Sequence, residues 1–194
     1  MAEPYRAITP DTPLPSLEEV YELWDRYQML PNIRRHSMVV RAVALAVCDW
    51  LAEAGVEMNR RAVEVGALLH DIAKTPCLGT DLRHDVEGQK ILESLGYHEL
   101  GYLVRKHVYL PPAHPLDETM VVNYADKRVN HDRVVSLDER FRYILERYAG
   151  DDPRRRELIL QGKRRAEEIQ QVLFSHMLPH RHPQDLNHLQ EDSQ

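Results

Sequence analysis

The run Gly66-Ala-Leu-Leu-His-Asp-Ile-Ala-Lys74 ends an apolar helical face in an imidazole beside a carboxylate. Val63, Ala67 and His70 recur at the three- and four-residue spacing of a buried helical stripe. Burying an unpaired charge costs several kcal/mol, so groups in such a place pair with one another or hold a metal. The same conflict arises on other predicted helices. His36, His84, His107 and Asp126 each fall on the apolar stripe of a different one. A chain with this pattern is constrained to gather those stripes, and with them one polar cluster, inside an all-helical core.

The helices are set by their punctuation. Ser16-Leu-Glu-Glu19 is a capping box that predicts a helix to about Met29, broken by Pro31. A long helix is predicted from Asn32 to Ala54, with His36, Val40, Val43, Val47, Trp50 and Leu51 on its stripe and Gly55 as its stop. Asn59 caps the next helix, and residues 75–83, with Pro76, Gly79 and Asp81, read as a loop. Further helices are predicted near 85–95, 98–108, 117–129, 136–148 and 152–176. The last two open on a second capping box at Ser136 and on Asp152-Pro153. No strand alternation stands out. The expectation is one all-α domain, a bundle of about seven helices over residues 16–176, with the polar cluster of His36 to Asp126 gathered within about 32–129. Residues 1–15 read as an extended lead-in and 177–194 as a loose tail.

A net charge of -6 and a pI near 6.0 argue against broad nucleic-acid binding, which needs a basic footprint. They leave room for a small anionic substrate, because a bound metal inverts the local field. Cys48 and Cys77 are too few for a disulfide framework and form no zinc-finger spacing, so a reducing compartment is expected. The first ten residues lack the basic and apolar regions of a signal peptide. The most apolar stretch, Met38 to Ala52, contains Arg41 and Asp49 and is too short to span a bilayer. The prediction is a cytoplasmic protein without a membrane partner.

A bare His-Asp dipeptide says little, since it occurs at residues 70, 84 and 131. Asp85 could be a helix cap, and His131-Asp132 lies in a polar turn that could line the mouth of a site. Asp126 has Lys127 and Arg128 beside it, but neighbours in sequence point elsewhere on a helix. Singly, each histidine is more readily a hydrogen-bonded core residue than a ligand. Together, one metal cluster gives a single reason for all of them, and imidazole plus carboxylate without thiolate suits Zn, Mn or Fe. His176, His180, His182 and His188 read as solvated, and His98 and His114 are unassigned, although His114 could edge the cleft. The charged helix from Asp152 could make a homodimer contact or be a solvated helix packing Leu158, Ile159, Ile169 and Leu173.

Arg35-His36-Ser37, Leu68-Leu-His-Asp-Ile-Ala-Lys74 and Asn123-Tyr-Ala-Asp-Lys-Arg128, in this order, resemble the blocks of the HD-domain superfamily of metal-dependent phosphohydrolases. The resemblance implies that His36, His70, Asp71 and Asp126 hold a first divalent ion. His84 and His107 are similar to the extra ligands of the binuclear branch, with Asp71 bridging to a second ion. The resemblance leaves the metal open among Fe, Mn, Zn, Co and Mg. It implies hydrolysis of a phosphate ester or anhydride, of a nucleotide or another small phosphorylated metabolite, by attack of a metal-bound hydroxide. Asp71 and Lys74 are the expected catalytic residues, with Lys74 on a phosphoryl oxygen and Arg128 and Arg133 as phosphate contacts from the cleft rim. Leu110 to Pro115 and Cys77 to Arg83 are expected to shape the pocket. Alanine stands at residue 73 where the family often has glycine, and the Gly-Tyr-Pro signature of cyclic-dinucleotide enzymes is absent. The six-ligand pattern is also similar to small diadenosine-polyphosphate hydrolases, although Lys-Arg-Val after Asp126 departs from that branch. The superfamily also includes di-iron oxygenases of small polyols or phosphonates and nucleotide-sensing modules without activity, and these are the alternatives.

Overall fold

The computed structural model describes residues 4–193, with side chains to residue 189, so the ends of the predicted lead-in and tail lie outside the described residues. Eight α-helices are present among them: α1 (Leu17–Arg26), α2 (Pro31–Glu53), α3 (Arg60–Leu69), α4 (His84–Ser94), α5 (His98–Lys106), α6 (Glu118–Lys127), α7 (Leu137–Ile144) and α8 (Pro153–Ser175). The all-α expectation holds. The one sheet among the described residues is a hairpin of two-residue strands, β1 (Val129–Asn130) and β2 (Arg133–Val134), paired antiparallel with Val129 opposite Val134. A π-helical turn (Leu145–Ala149) follows α7, and a 3-10 helix (Pro183–Ser193) ends the described chain.

The caps act largely as the sequence predicts. Ser16, Asn59, Asp117, Ser136 and Asp152 each accept a backbone N–H in the first turn of the helix that follows. α1 stops at Arg26, short of Met29, because Gln28 turns into the left-handed region at φ 50°. Pro31 therefore opens α2, where its missing N–H costs nothing.

α2 is the central helix, packed against α3 and α6. Its Val40, Val43, Val47 and Leu51 are fully buried, as are Val63, Ala67 and Leu68 of α3. α4 and α5 form an antiparallel pair whose approach depends on a glycine. A Cβ at Gly88 would lie 2.8 Å from Val104 Cγ1 of α5, and one at Gly66 of α3 would lie 2.8 Å from Leu103 Cδ2. These two positions bring α5 close to both α4 and α3.

Two expectations need correction. Residues 177–189 are not loose. Met177 and Leu186 are buried, and Arg181 forms an ion pair with Glu53 while covering the Trp50 ring. The anchor is buried Arg128, which donates to Pro183 O and Asn187 Oδ1. A Pro- and His-rich composition hid the few apolar residues that pack. In α8, Ile169 and Leu173 are buried and Ile159 is half-buried, but Leu158 is 66% exposed. Leu158 falls one step off the stripe.

Candidate metal centre

Four of the six residues sit where a helix starts or stops. His70 is the C-terminal cap of α3 with Asp71 just beyond it, His107 caps α5, and His84 begins α4. Backbone carbonyls with no helical partner are abundant at helix C-termini, and the imidazoles use them. His70 Nδ1 lies 2.7 Å from Ala67 O and His107 Nδ1 lies 2.6 Å from Val104 O. His36, inside α2, reaches across to the β1–β2 turn, where its Nδ1 is 2.6 Å from His131 O. His131 stands at φ 56°, the conformation that a two-residue hairpin turn demands. A carbonyl only accepts, so each of these Nδ1 atoms carries a proton, and in the neutral ring Nε2 is the atom left to ligate. The outer contacts thus fix ring orientation and tautomer as they do around bound metals.

The Nε2 atoms converge on two carboxylates. Asp126 Oδ1 is 3.1 Å from His36 Nε2 and 3.6 Å from His70 Nε2. Asp71 Oδ2 is 3.4 Å from His70 Nε2 and 3.9 Å from His36 Nε2. Its other oxygen, Oδ1, faces the opposite pair, 3.4 Å from His84 Nε2 and 3.8 Å from His107 Nε2. The latter two nitrogens lie 3.3 Å apart. His36, His70, Asp71, Asp126 and His107 are buried, and His84 keeps an exposed edge.

Electrostatics favour neutral rings at His84 and His107 and charged carboxylates at Asp71 and Asp126. Burial pushes His107 down to about 3, reinforced by the neighbouring His70, and burial also lowers His84. Burial opposes charge on His70 too, but Asp71 and Asp126 outweigh it and raise its pKa. Burial by itself would raise both carboxyls. The charges of His70 and Lys74 at Asp71, and of Lys127 at Asp126, instead hold them well below the usual range. Lys74 Nζ lies 2.7 Å from Asp71 Oδ2, and Lys127 Nζ lies 2.8 Å from Asp126 Oδ2.

His36, His70 and Asp126 form one group with ligand atoms close enough to share a metal ion, and His70, Asp71 and His107 form another. The residues fit a cation best at His70, whose Nε2 is fully buried with no hydrogen-bond partner among the described residues. An orphaned acceptor of that kind is costly unless a cation completes it. Hard and borderline donors of this composition suit a divalent metal.

Side chains around the cluster differ from expectation. Arg128 is not on the cleft rim. Its guanidinium is spent on Tyr124 Oη, Val135 O, Pro183 O and Asn187, because it faces away from Asp126 at the end of α6. Arg133 is exposed on β2 and lines neither cavity at the cluster, since the alternation of the hairpin turns Val134 inward instead. Lys127, set aside from sequence as pointing elsewhere, folds its long stem back to Asp126 and to His107 O at 2.8 Å. Asp85 is no helix cap. It is buried in ion pairs with Arg83 and Arg105 that bind the start of α4, and so His84, to α5. His114 does not edge the cleft but is buried against Asp117, with its Nε2 at 2.9 Å from Oδ1.

Two cavities open onto the cluster. The first, about 370 Å³, meets it at Asp71, His84, His107 and Asp126. Its outer wall is Phe141 and Ile144 of α7, Tyr148 of the π turn, and Ile159, Gly162 and Arg165 of α8. Of the expected Leu110 to Pro115 only Leu110 lines it, beside Val108 and Tyr109, and Cys77 to Arg83 do not. The second, about 380 Å³, meets the cluster at His36 and runs between α2, the hairpin turn and α7. Arg140, which lines both, went unnoticed in the sequence because it lies among other arginines of a charged helix. No helix among the described residues is long and apolar enough to cross a membrane.

The chain is 26% identical over 145 residues to an uncharacterized protein of Methanocaldococcus jannaschii, covering 66% of this chain and 85% of that one. No solved structure matches. Residues 33–131, just over half of the chain and all six clustered residues with it, match the family model of the HD domain, and the chain belongs to that family.

Proposed function

We propose that the protein is a metal-dependent phosphohydrolase, cleaving an ester or anhydride bond of a small phosphorylated substrate such as a nucleotide. One observation carries the reading: the two oxygens of Asp71 face two separate sets of imidazole Nε2 atoms. On that reading His36, His70, Asp71 and Asp126 hold one divalent ion, and His84, His107 and Asp71 hold a second. A pair of such ions lowers the pKa of bound water and neutralises charge that develops on phosphoryl oxygens.

The remaining work falls to side chains of this chain. Lys74 lines both cavities with its ammonium at Asp71, close to where a phosphoryl oxygen would meet the cluster. It neutralises a non-bridging oxygen. Lys127 holds Asp126 charged and fastens it to the end of α5 through His107 O. The carbonyls of Ala67, Val104 and His131 keep three imidazoles in one tautomer, so no ring has to turn when substrate arrives. Phe141, Ile144 and Ile159 exclude water from one side.

Lys74, Lys127, Arg140 and Arg165 around one cavity favour an anionic phosphorus substrate over a neutral polyol. The test is turnover of nitrophenyl phosphates, nucleotides and dinucleoside polyphosphates by Mn- or Fe-loaded protein without oxygen. Release of phosphate or nitrophenolate supports hydrolysis. Activity that appears only with oxygen, with O₂ consumed, would replace this reading by the oxygenase one.

A further inference from the structure

The two cavities are nearly equal in volume, about 370 and 380 Å³, each at the small end of ligand-site size. They are not separate sites. Lys74, Arg140 and Tyr148 line both, and the His/Asp cluster lies at the junction, with Asp71 and Asp126 on one side and His36 on the other. Their walls differ in kind. The first is apolar at Val108, Leu110, Phe141, Ile144 and Ile159. The second is polar at Asn32, Arg35, Asn130, His131 and Asp132, with Tyr143 beside His131.

Arg140 stands at the shared wall with capacity to spare. Its Nη1 donates to Asn130 Oδ1 at 3.0 Å, while its Nε is buried without a hydrogen-bond partner among the described residues. A buried N–H of a charged group left unpaired is costly, and a guanidinium donor suits a phosphate oxygen. The shared Tyr148 sits in the π-helical turn, an irregularity found frequently at functional sites.

Resting on the phosphohydrolase reading, we infer that the substrate carries a substituent on each side of its phosphate. It is a phosphodiester or a substituted anhydride, with a planar or apolar arm in the first cavity, a polar arm in the second, and the phosphate gripped between them by Lys74 and Arg140. A monoester would fill one cavity and leave the other to water. In the reaction the oxygen of a water bonds to phosphorus. The P–O bond to the leaving arm breaks, its electron pair stays on that oxygen, and the proton lost by the water ends there. A diester gives an alcohol and a monoester.

Thymidine 5′-(4-nitrophenyl) phosphate has one arm of each kind, and 4-nitrophenyl phosphate lacks the polar one. Simple charge attraction favours the monoester, which carries the extra negative charge. The metal-loaded full chain should nonetheless show a kcat/KM for the diester at least about tenfold higher. Arg140→Ala should raise KM about tenfold for both esters, because both carry the phosphate it grips, with Arg140→Lys recovering part of the loss and metal content and melting temperature unchanged. Gly162→Leu offers a second route. A Cβ there meets Phe141 Cε1 at an ordinary 3.5 Å, so the larger side chain extends into the first cavity, and diester turnover should fall without loss of metal. Equal or faster turnover of the monoester overturns the two-armed substrate and leaves the hydrolase reading standing. Turnover of neither ester overturns the hydrolase reading and this inference with it.

Discussion

Helices α2 to α6 and helices α7 and α8 enclose the same cavity by different means. The first set holds its side chains by buried polar bonds. Arg41 and Arg61 clamp Glu64 between α2 and α3, Arg105 clamps Asp85 between α5 and α4, and backbone carbonyls hold three imidazoles. The second set contributes mostly aliphatic and aromatic surface, with Arg165 tying α8 to Leu110 O and Pro111 O. Ligand atoms work only within a fraction of an ångström, so their supports are directional. A cavity wall needs only volume and polarity, which many sequences supply. Chemistry should therefore be lost by single changes in the first set, and selectivity tuned by changes in the second.

The largest expected effect is at Asp71. Asp71→Asn keeps the volume but weakens both ligand oxygens, and hydrolysis should drop about 1,000-fold or more, about 4 kcal/mol of barrier, in steady-state assays. Arg128→Ala tests the reassignment of that arginine. It removes four hydrogen bonds from a buried guanidinium, so stability should fall by about 2–4 kcal/mol in denaturant titration while kcat/KM at 25 °C stays within about twofold. Were Arg128 a phosphate contact, activity would fall first. Lys74→Ala should lower kcat/KM by about 10–100-fold with metal content intact, since one charge-assisted contact to substrate is lost. Ile159→Ala, in the wall of the second set, should raise KM only about threefold, and a larger effect on kcat would blur the division.

The smallest effect concerns the brace between α2 and α3. Burial raises the Glu64 carboxyl, but the bonds from Arg41 and Arg61 outweigh it and hold its pKa below the ordinary value. A depressed carboxyl contributes stability that is complete above its unfolded pKa and is lost as pH falls through the folded one. Glu64→Gln should therefore cost about 1 kcal/mol near pH 7 and flatten the loss of stability on the acid side, as read by melting temperature against pH.

What could be read in advance follows the same division. His36 and His70 were legible because an imidazole on a stripe of Val40, Val43, Val63 and Ala67 violates the periodicity around it. Asp126 was legible in the same way. Arg140 was not, because nothing distinguishes it from Arg142 in an amphipathic helix until the hairpin and the π turn are in place. Lys127 was missed because the rule that sequence neighbours diverge on a helix describes Cβ directions and ignores a four-carbon stem at a helix end. Asp85 looked like a cap because its partner Arg105 is distant in sequence. The packed C-terminal segment depends on Leu186 and on Arg128, a contact across 55 residues that no local pattern announces.

If Asp71 serves both sets of imidazoles, metal content depends on it. Metal analysis of the purified full chain, wild type beside Asp71→Ala, is therefore decisive. Two divalent ions per wild-type chain are expected, with loss of both on substitution, because each set of imidazoles keeps its geometry but loses the shared carboxylate. An Asp71→Ala protein that is folded and retains the wild-type metal content would contradict that shared role.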